Sequence, residues 1–205
     1  MKRVAPPAPP AEHPRIRVLG ISGSLRRDSH NTTLLRAAAE LLPPSAEIEI
    51  FDDLKAVEPY DQDDDVGDGP DGARRLREAI DSADAVLIAT PEYNSSIPGQ
   101  LKNAVDWASR PKGRNALWGK PVAVVGASTG MFGAVWSQAE TRKALGASGA
   151  RVIETDLPIG HVHEAFDDGR LADIELRDRY VEILDELVAL AEQVGGSQEA
   201  ERVAA

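Results

Sequence analysis

Three short stretches carry most of the residues able to do chemistry. The first reads Gly20-Ile-Ser-Gly-Ser-Leu-Arg-Arg-Asp-Ser-His-Asn31. It offers the hydroxyls of Ser22, Ser24 and Ser29, the amide of Asn31 and the guanidinium of Arg26, with the hydroxyl of Thr32 next in line. A helix that starts here turns its free N–H groups and the positive end of its dipole toward the loop, which makes an anion site. An arginine fork matches phosphate oxygens. A plain βα loop needs only one N-cap, Ser29 or Asn31, so the surplus of donors points to a phosphate. The second stretch is Pro91-Glu-Tyr-Asn-Ser-Ser-Ile-Pro-Gly-Gln-Leu-Lys-Asn-Ala-Val-Asp-Trp107. Pro91 stops a strand, and Pro98 suits the first turn of a helix. Exposed amides with Tyr93 and Asn94 could hold a flat heteroaromatic ring by its edge. A turn before a helix that packs Leu101, Val105 and Trp107 explains the same residues equally well. The third stretch is Gly126-Ala-Ser-Thr-Gly-Met-Phe-Gly133. Glycine lets a ligand approach the backbone, and Ser128, Thr129 and the Gly130 amide could donate to ring carbonyls. Tight strand–helix packing is the competing reason for the glycines.

Several other chemistries are excluded or weakened. There is no cysteine, hence no disulfide, thiolate nucleophile or cysteine-ligated metal. Any electron chemistry must be carried by an organic cofactor. No GxGxxG turn is present. Gly113 to Gly119-Lys120 only imitates a Walker A loop, because Pro121 occupies the Ser/Thr position. Gly126-Ala-Ser128-Thr-Gly130 fits a hydrolase nucleophile elbow, with Asp156 and His161 or His163 following in the right order. That reading leaves the donors of the first loop without a role. The run Asp61–Asp65 lacks the glycine and closing glutamate of a calcium loop and reads as a solvated loop. His30 lies in the first loop, and His161 and His163 alternate as on an extended segment, possible lining for a substrate mouth. No metal site is expected.

These stretches need a scaffold. The chain has 205 residues, 34 acidic against 23 basic side chains and a net charge of −11. That length favours one domain with a core of its own. The acidity argues against a nucleic-acid partner, and no run of about eighteen apolar residues suggests a membrane span. The expectation is a soluble, cytoplasmic chain. Residues 1–14 hold five prolines and read as a disordered tail, as does 195–205, leaving 15–194 as the folded domain. Apolar runs predict strands at Arg15–Ile21, Ala46–Phe51, Ala83–Thr90, Pro121–Ala127 and Arg151–Thr155. Helices are expected at Asn31–Leu42, Gly72–Ser82, Pro98–Arg110, Val135–Ser148 and Asp173–Val194. This alternation implies an α/β fold, a parallel sheet covered on both faces. Five strands suit the order 2-1-3-4-5, whose ligands bind beyond the C-terminal strand ends.

Together the three loops, with Gly119-Lys-Pro-Val-Ala-Val-Val-Gly and the helix Gln138–Leu145, resemble the NADPH-dependent FMN reductase family over about residues 15–160. That group includes quinone, chromate and azo-dye reductases. The resemblance implies a flavodoxin-like three-layer sandwich. It implies bound FMN, with Ser24, Arg26, Ser29 and Asn31, and also Ser22 and Thr32, at the phosphate. Pro91, Glu92, Tyr93 and Asn94 would line the isoalloxazine ring, and Ser128, Thr129 and Gly130 its pyrimidine side. NADPH, or NADH, would deliver hydride and a small-molecule acceptor would collect it in ping-pong fashion. Homodimers or homotetramers are usual in the family. No side chain is implied as an acid or base, because the cofactor carries the chemistry. The acidic 61–65 loop departs from the family pattern. A flavodoxin-type electron carrier is the alternative, since acidity also suits docking to basic redox partners.

Overall fold

The structure is a computed structural model and describes residues 15–204, with side chains described through Ser197. The proline-rich stretch 1–14 lies outside the described residues. In chain order the first elements are β1 (Ile16–Ser22), α1 (His30–Leu41), β2 (Ala46–Phe51), a 3-10 turn (Leu54–Ala56), α2 (Asp71–Ser82), β3 (Ala85–Thr90), α3 (Gly99–Ala108), β4 (Pro121–Ala127) and α4 (Val135–Ala147). Then come β5 (Arg151–Val152), β6 (Pro158–Ile159), α5 (Val162–Ala165), β7 (Phe166–Asp167), β8 (Arg170–Leu171) and α6 (Ile174–Ala204).

The sheet order is β2-β1-β3-β4-β5 and all its pairs are parallel. The fold is thus the flavodoxin-like α/β sandwich expected from the alternating pattern. Strands β3 and β4 are buried along their whole length. Their alternate residues feed two cores. Leu87, Ala89, Ala123 and Val125 pack with α1 and α6, whereas Val86, Ile88, Val122 and Val124 pack with α2, α3 and Leu145 of α4. Continuous apolar runs are what a strand covered on both faces requires. Each buried Val or Leu contributes roughly 1.5–3 kcal/mol from its removal from water.

The fifth strand is shorter than its apolar run suggests. Pairing with β4 stops after Val152, and the chain leaves the sheet and returns as β6 beside Gly126 and Ala127. The buried amide of Gln138 fills the gap. Its Nε2 donates to Gly133 O at 3.0 Å and to Leu157 O at 3.3 Å, and its Oε1 accepts from Leu157 N at 3.1 Å. A side chain thereby pairs backbone groups where the chain has left the ladder.

At the other end, α6 continues to Ala204 rather than fraying at Gly195. Elongation needs one hydrogen bond per residue once a helix exists. Ser197 Oγ also donates back to Gln193 O at 2.9 Å, and the residues that follow are mostly good helix formers.

Candidate active site

Parallel strands bring the loops after β1, β3 and β4 to one edge. There Ser24, Arg26, Ser29, Asn31, Pro91, Glu92, Tyr93, Ser128 and Thr129 line a single open cleft, together with His30, Ala127 and Val162. Of the residues singled out from sequence, Ser22, Thr32, Asn94 and Gly130 are not among its lining residues. Their positions explain why.

Ser22 and Thr32 brace the first loop from behind. Thr32 Oγ1 donates to Ser22 Oγ at 2.9 Å, and Ser24 N donates to the same hydroxyl at 3.4 Å. Ser29 is the N-cap of α1, its Oγ accepting from Thr32 N at 3.3 Å. Asn31 is buried and works as a clamp. Its Nδ2 donates to Ala127 O and its Oδ1 accepts from Ala127 N, both at 3.0 Å. The side chain expected to reach for phosphate therefore mimics a strand edge, tying the first loop to the third. The Arg26 guanidinium makes no hydrogen bond or ion pair among the described residues. It lines the same cleft as the start of α1, whose first N–H groups lack helical partners.

The second loop turns sharply between Tyr93 and Ser96, whose backbones exchange hydrogen bonds of 3.2 and 3.1 Å. Asn94 and Ser95 have φ of 53° and 58°, the signature of a type I′ turn. Asn94 is thus a turn residue, a role its side chain tolerates well, and Tyr93 is left half exposed beside the cleft. Glu92 lines the cleft, and its carboxylate is engaged by helix α4. Oε2 accepts from Trp136 N at 3.0 Å and Ser137 N at 3.1 Å. Helix α4 begins after Ala134 in a left-handed conformation with no cap from its own side chain. Glu92 supplies that cap from another loop. Thr90 Oγ1 to Ser137 Oγ at 2.8 Å and Ser96 Oγ to Glu140 at 2.5 Å complete the seam.

In the third loop the glycines divide by task. A Cβ on Gly126 would meet Gln138 Nε2 at 2.8 Å and Thr90 O at 2.9 Å, and one on Gly133 would meet Pro158 C at 2.4 Å. Those two are packing glycines. A Cβ on Gly130 would meet only Ser128 Oγ, at 3.4 Å, so this backbone stays open to a ligand. Segment 157–162 zips behind the loop. Ser128 N donates to Ile159 O at 3.0 Å, Val162 N to Ser128 O at 3.1 Å and His161 N to Gly130 O at 3.2 Å. Sequence reasoning missed this backing strip, because two-residue β6 and four-residue α5 carry no periodicity.

Ser128 Oγ accepts from Gly130 N at 3.0 Å, and no hydrogen bond joins it to a histidine among the described residues. His161 and His163 stand edge-on to each other with centroids 6.4 Å apart. The hydrolase relay is not assembled. Asp65 of the acidic loop pairs with Arg110 at 2.5 Å, and no group of three or more metal-ligating side chains occurs among the described residues. No helix there is long and apolar enough to cross a membrane.

The cleft brings together an arginine unpaired among the described residues, the start of α1 and the hydroxyls of Ser128 and Thr129. Comparison with known proteins gives the family. Residues 16–164 match the family model described as NADPH-dependent FMN reductase. The chain belongs to that family. It is 43% identical to an NAD(P)H-dependent FMN reductase of Pseudomonas aeruginosa over 165 residues, which are 80% of this chain and 88% of the relative. It is 45% identical to a 2-hydroxy-1,4-benzoquinone reductase of a Burkholderia species over 127 residues, 62% of this chain and 68% of that one. Among solved structures it resembles the flavoenzyme NAD(P)H:acceptor oxidoreductase FerB of Paracoccus denitrificans. The TM-score is 0.76 at 34% identity, with 87% of this chain and 98% of that one covered. This reductase is accordingly an FMN-linked, NAD(P)H-dependent oxidoreductase, and an enzyme rather than a carrier.

Proposed function

We propose that this family member passes hydride from NAD(P)H to a quinone-type acceptor, the two substrates using one open face of bound FMN in turn. The observation that carries this is the convergence of the three loops on one cleft with an anion-binding end and an open glycine backbone. Arg26, Ser24, Ser29 and the first N–H groups of α1 hold the cofactor phosphate. Ser128 and Thr129 face the pyrimidine side of its ring, where their hydroxyl donors favour negative charge, and the Gly130 N–H orients the Ser128 hydroxyl. Pro91, Glu92 and Tyr93 form the wall along the ring, and Asn94 shapes the turn that follows it. Bound FMN supplies the two-electron chemistry that no side chain here offers. Tyr93 lines the cleft, and in this reading the exposed pair Phe132 and Trp136, edge to face at 5.0 Å just after the third loop, completes an aromatic rim. Such a rim suits a flat apolar acceptor. Relatives named quinone reductase in Pseudomonas putida and Escherichia coli support this class. Free flavin is the second reading, supported by the name of the Pseudomonas aeruginosa relative.

The same reading includes a second copy of the chain at this rim and a cytoplasmic setting, where NAD(P)H is regenerated. The test is direct. Purified protein is expected to be yellow with an oxidised-flavin spectrum and to oxidise NAD(P)H with a benzoquinone, giving parallel double-reciprocal lines. Arg26→Ala is expected to release FMN more readily. Intersecting lines would overturn the shared-face order. Turnover with free FMN but no quinone would favour the second reading.

A further inference from the structure

His30 is the first residue of α1 and one of the residues lining the cleft. Side chains of a helix lean toward its N-terminus. The imidazole therefore leans to the side on which the free N–H groups of α1 and Arg26 lie. Its ring makes no hydrogen bond among the described residues. Phe166 lies nearly parallel to it, at 10° and 6.5 Å between centroids.

Phe166 belongs to a part of the chain beyond the family match at 16–164. The hairpin β7–β8 is fastened to both ends of α1. Phe166 meets His30 at its start, and Arg170 Nε donates to Glu40 Oε2 at 2.8 Å near its end. Leu171 is buried in the core shared with α1 and α6, and Ala172 N donates to Ala165 O at 3.0 Å. The imidazole is thus limited in where it can turn. A phenyl ring would serve the stack equally well. What histidine adds is an N–H donor, present in either protonation state.

Resting on the FMN reading, we propose that His30 is a further ligand of the cofactor phosphate, donating from its imidazole to a phosphate oxygen, with Phe166 holding the ring in place. Ser24, Arg26 and Ser29 then meet the phosphate from the loop, and His30 meets it from the helix. The phosphate is what tells FMN from riboflavin, so His30 is a specificity residue as well as an anchor.

The experiment compares FMN with riboflavin, which has the same ring and no phosphate. Flavin-free full-length protein is titrated with each, and binding is read from flavin fluorescence. His30→Phe keeps an aromatic stack and removes the donor. It is expected to weaken FMN on the order of tenfold or more, as loss of a hydrogen bond to a charged group does, while riboflavin affinity stays within about twofold. His30→Gln, which restores a donor, is expected to recover much of the loss. Equal loss for both flavins would make His30 a packing residue and overturn the proposal. So would unchanged FMN affinity in His30→Phe while the wild type binds FMN tightly. A wild type that binds neither flavin would instead overturn the FMN reading itself.

Discussion

At the scale of single residues, the site separates groups that touch a ligand from groups that hold those groups still. The glycines show it most clearly. Gly160 packs its backbone against the third loop, and a Cβ there would lie 2.3 Å from Met131 O and 2.9 Å from Met131 C. Backbone cannot yield as a side-chain tip does. Gly160→Ala is therefore expected to destabilise the fold by several kcal/mol, about what severe strain or overpacking costs, and to lower Tm measurably. Gly130 faces no such wall. Gly130→Ala is expected to leave Tm nearly unchanged and, on the proposed reading, to weaken FMN binding, because the added methyl would crowd the Ser128 hydroxyl at 3.4 Å. A matched fall in Tm for both variants would contradict this division. Asn31 makes the same distinction. Its type and place suggested a donor for phosphate, but it is buried and its amide is paired with Ala127 on both sides. A residue type states what a group can bond to, and only tertiary contacts state what it does bond to.

At the scale of elements, the loops are positioned by helix ends that borrow their caps. Glu92 caps α4 from the second loop, and Glu58 caps α2 from the segment before it. Substituting Glu92 by Ala leaves the N–H groups of Trp136 and Ser137 unpaired, an expected loss of about 1 kcal/mol. Glu92→Gln keeps an acceptor and most of the stability, and thermal unfolding of the two variants checks the order. Glu58 adds a pH dependence. Burial pushes its carboxyl up, but N–H groups of Glu58, Gly72 and Ala73, with Arg75 nearby, outweigh that and hold it below the usual carboxylate range. A folded value below the unfolded one gives stability that is present above the unfolded pKa and lost as pH falls through the folded one. Glu58→Gln is thus expected to lower stability at neutral pH, with the gap to wild type closing in acid. A gap that persists in acid would refute the cap's ionic character.

These caps also mark the limit of what the sequence made legible. Apart from the short β5 and the C-terminal end of α6, the main strands and helices carry their own periodicity, so their positions and the fold class follow from local pattern. So do the three loops, because glycine, proline and hydroxyl residues cluster there. The backing strip 157–162, the hairpin that holds His30 and the bridge made by Gln138 do not. Each consists of a few residues whose conformation is set by partners distant along the chain. Gly126 and Gly133 are packing glycines, and Gly130 is uncrowded.

At the scale of the whole molecule, charge and apolar surface pull in opposite directions. The net charge is −11, so two copies repel at long range. Yet Met131, Phe132 and Trp136 are 65%, 54% and 45% exposed, and Tyr93 is 48% exposed. Aromatic residues grouped at one rim are typical anchors of an interface. Of these, Tyr93 lines the cleft, so a second copy seated on this surface would, on the proposed reading, wall the open side of the flavin site. The two forces respond differently to salt. Screening shortens the range of charge repulsion to about 10 Å at 0.1 M, whereas burial of apolar surface is not weakened. Assembly is therefore expected to strengthen as ionic strength rises, the reverse of an interface held by ion pairs. Sedimentation of the full chain at low and moderate salt measures it. Trp136→Glu places a charge in the rim and is expected to yield monomer at every salt concentration. Since Glu92 bonds the Trp136 backbone rather than its ring, the cap of α4 remains and the variant stays folded. A wild type that sediments as a monomer throughout, or a Trp136→Glu variant that assembles like wild type, would remove the rim from the interface.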